Sequence, residues 1–163
     1  MFDCYSMVAG CAVLEIPAWP RQLFSQELVL YLCSLVDFSV MIYAGHLPQY
    51  EAWRNMPSFP AIVYNRISSQ HVHHLRGGAG IAKARYQIDC WGRSLDDSED
   101  LAEKIRLSLQ GYAGPMGNAV VTAVVLDSMF SNYEGPVDDS DIGLYRVSSD
   151  YLICYREAVR DVV

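Results

Sequence analysis

The chain has no Cys-x-x-Cys pair, and its five cysteines, Cys4, Cys11, Cys33, Cys90 and Cys154, are an odd number. Neither a disulfide framework nor a zinc site is signalled, which leaves buried thiols in a reducing cytoplasm as the expectation. Basic residues are scarce too: 12 Lys and Arg against 19 Asp and Glu give a net charge of −7. A protein that grips nucleic acid by its phosphates carries the opposite balance. Ordinary DNA binding is therefore disfavoured, whereas an acidic surface past which DNA moves without sticking is allowed. There is also little that could span a bilayer. Leu28 to Gly45 comes nearest, but Asp37 interrupts it, at a cost of roughly 2.5–3.5 kcal/mol, and no basic cluster flanks it. Val8-Ala9-Gly10-Cys11 has the look of a lipoprotein cleavage box, yet Asp3 sits upstream and no Lys or Arg precedes it. No membrane partner is expected.

Catalytic and cofactor signatures are equally thin. Gly77-Gly78-Ala79-Gly80 is followed by Lys83, but a phosphate loop needs Gly-Lys-Ser/Thr in succession at a helix start. Here Ile81 and Ala82 intervene and a strand follows, so a flexible hairpin tip is the better reading. His71 and His73 would point the same way in extended backbone, but no third, rigidly placed ligand stands beside them. Metal binding is not expected. Asp138, Asp139 and Asp141 miss the calcium-loop spacing and read as turn formers. No G-x-S-x-G elbow occurs. Neighbouring carboxylates occur at Asp96, Asp97, Glu99 and Asp100, where they charge a helix start and do not form a sheltered acid/base pair. The expectation is a protein without cofactor, metal or catalytic role.

What the chain does have is length, apolar content and aromatics. Its 163 residues suit one domain able to bury about 70% of the surface that the unfolded form exposes. The 11 tyrosines and 3 tryptophans serve cores, and they serve interfaces as well. Residues 1–25, with Pro17, Trp19 and Pro20, show no sustained period and read as an N-terminal arm or leader. Residues 26–163 read as a single domain.

Within that domain Gln26 to about Val36 predicts a helix, with Leu28, Leu32, Leu35 and Val36 on one face and Ser25 as N-cap. A short extended stretch at Phe38–Tyr43 follows, then a loop with Pro48, Trp53, Pro57 and Pro60. Ala61–Ser68 is rich in β-branched and aromatic residues and predicts a strand. A loop is expected over Ser69–Gly80. Ile81–Trp91 alternates most clearly: Ala82, Ala84, Tyr86, Ile88 and Cys90 inward, and Lys83, Arg85, Gln87 and Asp89 outward. Ser94 with Asp97 three residues on predicts a capped helix to about Gln110, with Leu101, Ala102, Ile105 and Leu109 buried. Ala119–Leu126 predicts a buried strand, Ser128–Glu134 its hairpin partner, and Tyr145–Tyr155 a last alternating strand. The fold class is α+β: a mixed or antiparallel sheet of four to five strands packed by two helices.

These same segments carry a resemblance. Pro60-Ala61-Ile62-Val63-Tyr64-Asn65-Arg66-Ile67-Ser68 resembles the first core strand of the phage tail completion, or tail terminator, family. Ala84-Arg85-Tyr86-Gln87-Ile88-Asp89-Cys90-Trp91-Gly92 is similar to its signature strand. The helix with Ala102, Ile105, Arg106 and Leu109, and the closing Tyr145-Arg146, Ser149-Asp150-Tyr151 and Tyr155-Arg156-Glu157, follow in the family's order. The resemblance covers about residues 26 to 157; residues 1–25 and the histidine cluster depart from it. It implies a structural virion protein: a ring, usually six-fold, that caps the tail tube of a long-tailed bacteriophage, stops its growth and offers the surface on which the DNA-filled head docks. The implied partners are other copies of the chain, the tail tube protein and a head-tail connector, stopper or adaptor. DNA would cross the lumen without specific binding.

Such a role needs an interface that closes on itself, and no catalysis. The outward row Lys83, Arg85, Gln87 and Asp89 is the first candidate for contact between subunits, against plain solvent exposure. The locally basic loop, with His71, His73, His74 and Arg76, is the candidate for an acidic partner surface or for passing phosphates. The nearest competing reading is another neck component, a connector or stopper; a small ligand- or protein-binding domain of a host is a more distant one.

Overall fold

In the computed structural model the residues described are 24–37, 39–47, 58–75, 77–136 and 143–157. The elements are helix α1 (Phe24–Leu35), strands β1 (Met41–Ala44), β2 (Ala61–His74) and β3 (Gly77–Gly92), helix α2 (Leu95–Leu109), and strands β4 (Gly114–Met116), β5 (Ala119–Glu134) and β6 (Leu144–Arg156). The strands form one six-stranded sheet in the order β1-β2-β3-β6-β5-β4. Only β1–β2 is parallel; every other neighbouring pair is antiparallel. The fold is α+β, with one strand more than the upper expectation because Gly114–Met116 adds a short edge strand to β5.

Both helices lie on one face of the sheet. The inward row of β3, Ala82, Ala84, Tyr86, Ile88 and Cys90, is buried, and so are Val147, Tyr151, Ile153 and Tyr155 of β6. Strict alternation places each set on a single face. Leu101, Ala102, Ile105 and Leu109 of α2 and Leu28, Val29 and Leu32 of α1 close over them. Phe24 stacks on Tyr155 with ring centroids 4.1 Å apart, and the Tyr31 hydroxyl donates to the Ser108 carbonyl at 3.3 Å, tying α1 to α2. Burying side chains of this size is worth about 1.5–3 kcal/mol each, so this layer holds the molecule together.

The caps follow the sequence at α2 and depart from it at α1. Ser94 is the N-cap of α2, accepting from the Asp97 amide at 3.1 Å. Asp96 and Asp97 sit at the positive end of the helix dipole and Arg106 in the last turn. Ser25, expected to cap α1, lies inside its first turn, because the helix starts at Phe24. The Ser25 hydroxyl is instead 2.9 Å from the hydroxyl of buried Tyr86. A buried phenol needs a partner, and Ser25 supplies it.

Three strand expectations are corrected. The expected loop at Ser69–Gly80 is mostly strand: β2 runs on to His74 and β3 starts at Gly77, with His73 opposite Gly78 and His74 opposite Gly77. Backbone pairing extends the hairpin past the region where side chains meet a core, so no apolar alternation marks it. Ser128–Glu134 is not a hairpin partner of Ala119–Leu126 but its continuation, and both pair with β6. Asp127, which reads as a turn, is the extra residue of a bulge between Leu126 and Ser128. The short strand expected at Phe38–Tyr43 is Met41–Ala44. Arg76, Trp53 and Asp138, Asp139 and Asp141 lie outside the described residues.

Candidate assembly surfaces

The face of the sheet turned away from the helices is built from alternate residues of the same strands. From β3 it takes Ile81, Lys83, Arg85, Gln87, Asp89 and Trp91. Leu152 and Asp150 of β6 and Val125, Ser128 and Phe130 of β5 stand opposite or beside them. No described helix covers it, and its two ends differ.

At one end a small second cluster dries the face. Tyr43, Ala61, Val63 and Trp91 are buried there, with Met41, Leu47, Phe59 and Leu144 packed against them. The Arg146 guanidinium lies 5.2 Å over the Trp91 ring and 3.0 Å from Glu134. Asp89 belongs to this end. It is only 5% exposed, and Gln87 Nε2 donates to its two carboxylate oxygens at 2.9 and 3.2 Å. The outward row is thus wet only over part of its length. Asp89 is held by its own fold, while Lys83 is exposed and Arg85 and Gln87 are half-buried.

The middle of the face is charged and partly apolar. Arg85 Nη2 donates to Asp150 Oδ2 at 2.5 Å and lies 3.5 Å from Asp127 Oδ2. The bond to Asp150 holds the guanidinium pKa above its ordinary value, so this cation is fixed at any working pH. Next to it Val125 and Leu152 face each other across β5 and β6, and both are exposed. Toward the Trp91 end Phe130 is about half-exposed on this same face, while Met129 and Tyr133, opposite Ser149 and Tyr145, are about half-exposed on the helix side of β5. Exposed apolar groups of this size on rigid strands are candidates for an association surface.

The histidines form no site together. His71, on the helix side of β2, has Nδ1 2.5 Å from Glu157 Oε2. His73 and His74 sit exposed at the hairpin tip, opposite glycines. Among the described residues no three His, Cys, Asp or Glu side chains group as metal ligands, and no helix is long and apolar enough to cross a membrane. Cys90 is buried and its thiol pKa is pushed up by desolvation, which keeps it inert.

The exposed apolar groups of β5 were not singled out in the sequence because Ser128–Glu134 reads as a separate hairpin strand and not as the continuation of Ala119–Leu126. The signal that could have found them is the absence of Pro, Gly and Lys from Ala119 to Tyr133.

Known proteins agree on the type of fold and on a family. A chain in the solved structure described as "Virion of native gene transfer agent (GTA) particle" superposes with a TM-score of 0.54 at 12% identity, covering 81% of this chain and 90% of that one. At that identity the likeness concerns the fold. No curated protein matches the chain in sequence. Residues 30–156, which include every described element except the first half of α1, match the family described as "Tail completion protein gp17". The chain belongs to that tail completion family.

Proposed function

We propose that this protein is the subunit of a six-fold ring that ends the tail tube of a long-tailed phage at its head-proximal end and joins it to the neck. The observation that carries the reading is the family match across residues 30–156. The open sheet face supports it: a subunit that works by contact wants exposed apolar groups on rigid strands, and it wants no cleft with shifted acids and bases. Its partners are then further copies of itself, the tail tube protein and a connector, stopper or adaptor on the head side. Its role is structural and not enzymatic, and it is assembled in the bacterial cytoplasm. The net charge of −7 fits a lumen wall that repels phosphates and keeps the genome mobile.

Electron microscopy of a lysate made without this gene tests the reading. Filled heads without tails, beside tails of irregular or excessive length, are expected of a lost terminator. Tails of normal length beside emptied heads would move the protein to the head side of the neck. Intact particles would refute the proposal.

A further inference from the structure

Each side of the sheet ends in a strand covered for only part of its length. Among the described residues β1 pairs with Ala61–Tyr64 of β2, leaving the outer edge of β2 from Asn65 to His74 without a neighbouring strand. On the other side β4 pairs with Ala119–Val121 of β5 and the Gly111 amide donates to the Val124 carbonyl at 2.9 Å, leaving the outer edge from Val125 to Glu134 without a neighbouring strand. Open edges are normally short, or guarded by lysine or proline, because their unpaired N–H and C=O groups recruit further strands. Neither free stretch contains a lysine or a proline. Ala119–Leu126 is uncharged and rich in valine, and it is the kind of segment that aggregates when its edge stays open.

Resting on the ring reading above, we propose that the free edge of β2 in one subunit pairs with the free edge of β5 in a second copy of the chain, continuing the sheet from subunit to subunit. Three observations favour this occupant. Counting through the antiparallel pairs β2–β3, β3–β6 and β6–β5, β2 and β5 run in opposite directions. A neighbour rotated about an axis roughly along the strands therefore presents β5 antiparallel to β2, the more stable pairing. The two edges differ on each subunit, so the contact is head-to-tail and can close into a ring.

The free stretches also lie at opposite ends of the sheet, because β1 and β4 each cover the start of their antiparallel hosts. Full pairing needs neighbouring sheets staggered along the strands, which is the offset a sheet must have to close on itself. Charge is compatible: the β2 stretch has Arg66 and no carboxylate, and the β5 stretch has no base, its Asp127 and Glu134 lying beside Arg85 and Arg146 of the same chain.

Amide hydrogen exchange on the full chain, with native mass spectrometry to count subunits, tests this without assuming a register. In the oligomer, exchange is expected to slow about tenfold or more in both 65–74 and 125–134 relative to the diluted monomer. Val125→Lys should weaken association about tenfold or more while the monomer still folds, since Val125 is 53% exposed. Protection gained in one stretch only would mean a two-fold contact or another segment on that edge, and would overturn the proposal. An oligomer with neither stretch protected would overturn it and leave the ring standing. A chain that stays monomeric at every concentration and on isolated tail tubes would overturn both.

Discussion

The two faces of the sheet are made from the same strands, yet they obey different rules. On the helix side most inward residues of β3 and β6 share one core cluster with residues of α1 and α2, and Tyr86, Ile88, Tyr151 and Ile153 are fully buried. On the other side Lys83, Val125 and Leu152 face open space, and only the end around Trp91 is dry. The first face is specified by burial within one chain. The second is left open among the described residues, and the proposed assembly would give its apolar groups a partner.

Adjacent residues on β6 give the sharpest contrast. Ile153 is fully buried and Leu152 is 41% exposed. Ile153→Ala should lower unfolding free energy by about 2–5 kcal/mol, as removal of a packed core side chain does. Leu152→Ala should stay within about 0.5 kcal/mol in the monomer and show its effect in assembly instead. Denaturant melts of both variants, with tail completion in a complementation assay, would measure the pair. Equal destabilisation would mean that the open face is covered within the chain itself.

Gly117 comes next. It has φ +58°, and a Cβ there would run into the Glu27 carboxylate, which is buried beside the β4–β5 turn and accepts from Asn118 Nδ2 at 3.1 Å. Gly117→Ala combines left-handed backbone strain with displacement of a buried anion, and about 1–2 kcal/mol is expected. Ser94→Ala, which removes the cap of α2, should cost about 1 kcal/mol, and Ser94→Asn should restore most of it. Both would show in thermal melts.

The helix face was legible because burial writes itself into the sequence as a period. Ala82 to Cys90 and Val147 to Tyr155 alternate, and the cap and buried stripe of α2 stand as expected. The outer parts of the sheet were not, because backbone pairing alone leaves no side-chain signature. His71–His74 and Gly77–Gly80 carry β2 and β3 beyond the core, and Asp127 bulges where a turn was expected. The candidate surface was half legible. Lys83, Arg85 and Gln87 do face outward, but Asp89 is consumed by Gln87 and a local cluster, and Val125, Leu152 and Phe130 could not be assigned to a face without the bulges that set their register.

Arg85 offers the finest test of that division. It stands in the open face with carboxylates of Asp150 and Asp127 on either side, a geometry that reads as structural. All three groups are partly exposed, however, and ion pairs in that setting contribute little once water and salt screen them. Arg85→Met should therefore move the melting midpoint of the monomer less than Ser94→Ala does. Whatever difference it makes at low salt should shrink as salt is raised. The same substitution leaves two acids uncompensated on the candidate association surface, so its larger effect is expected on association, measured by native mass spectrometry. Should Arg85→Met destabilise the monomer more than loss of the α2 cap, the charged row would count as part of the fold, and the distinction between the two faces would not hold at its centre.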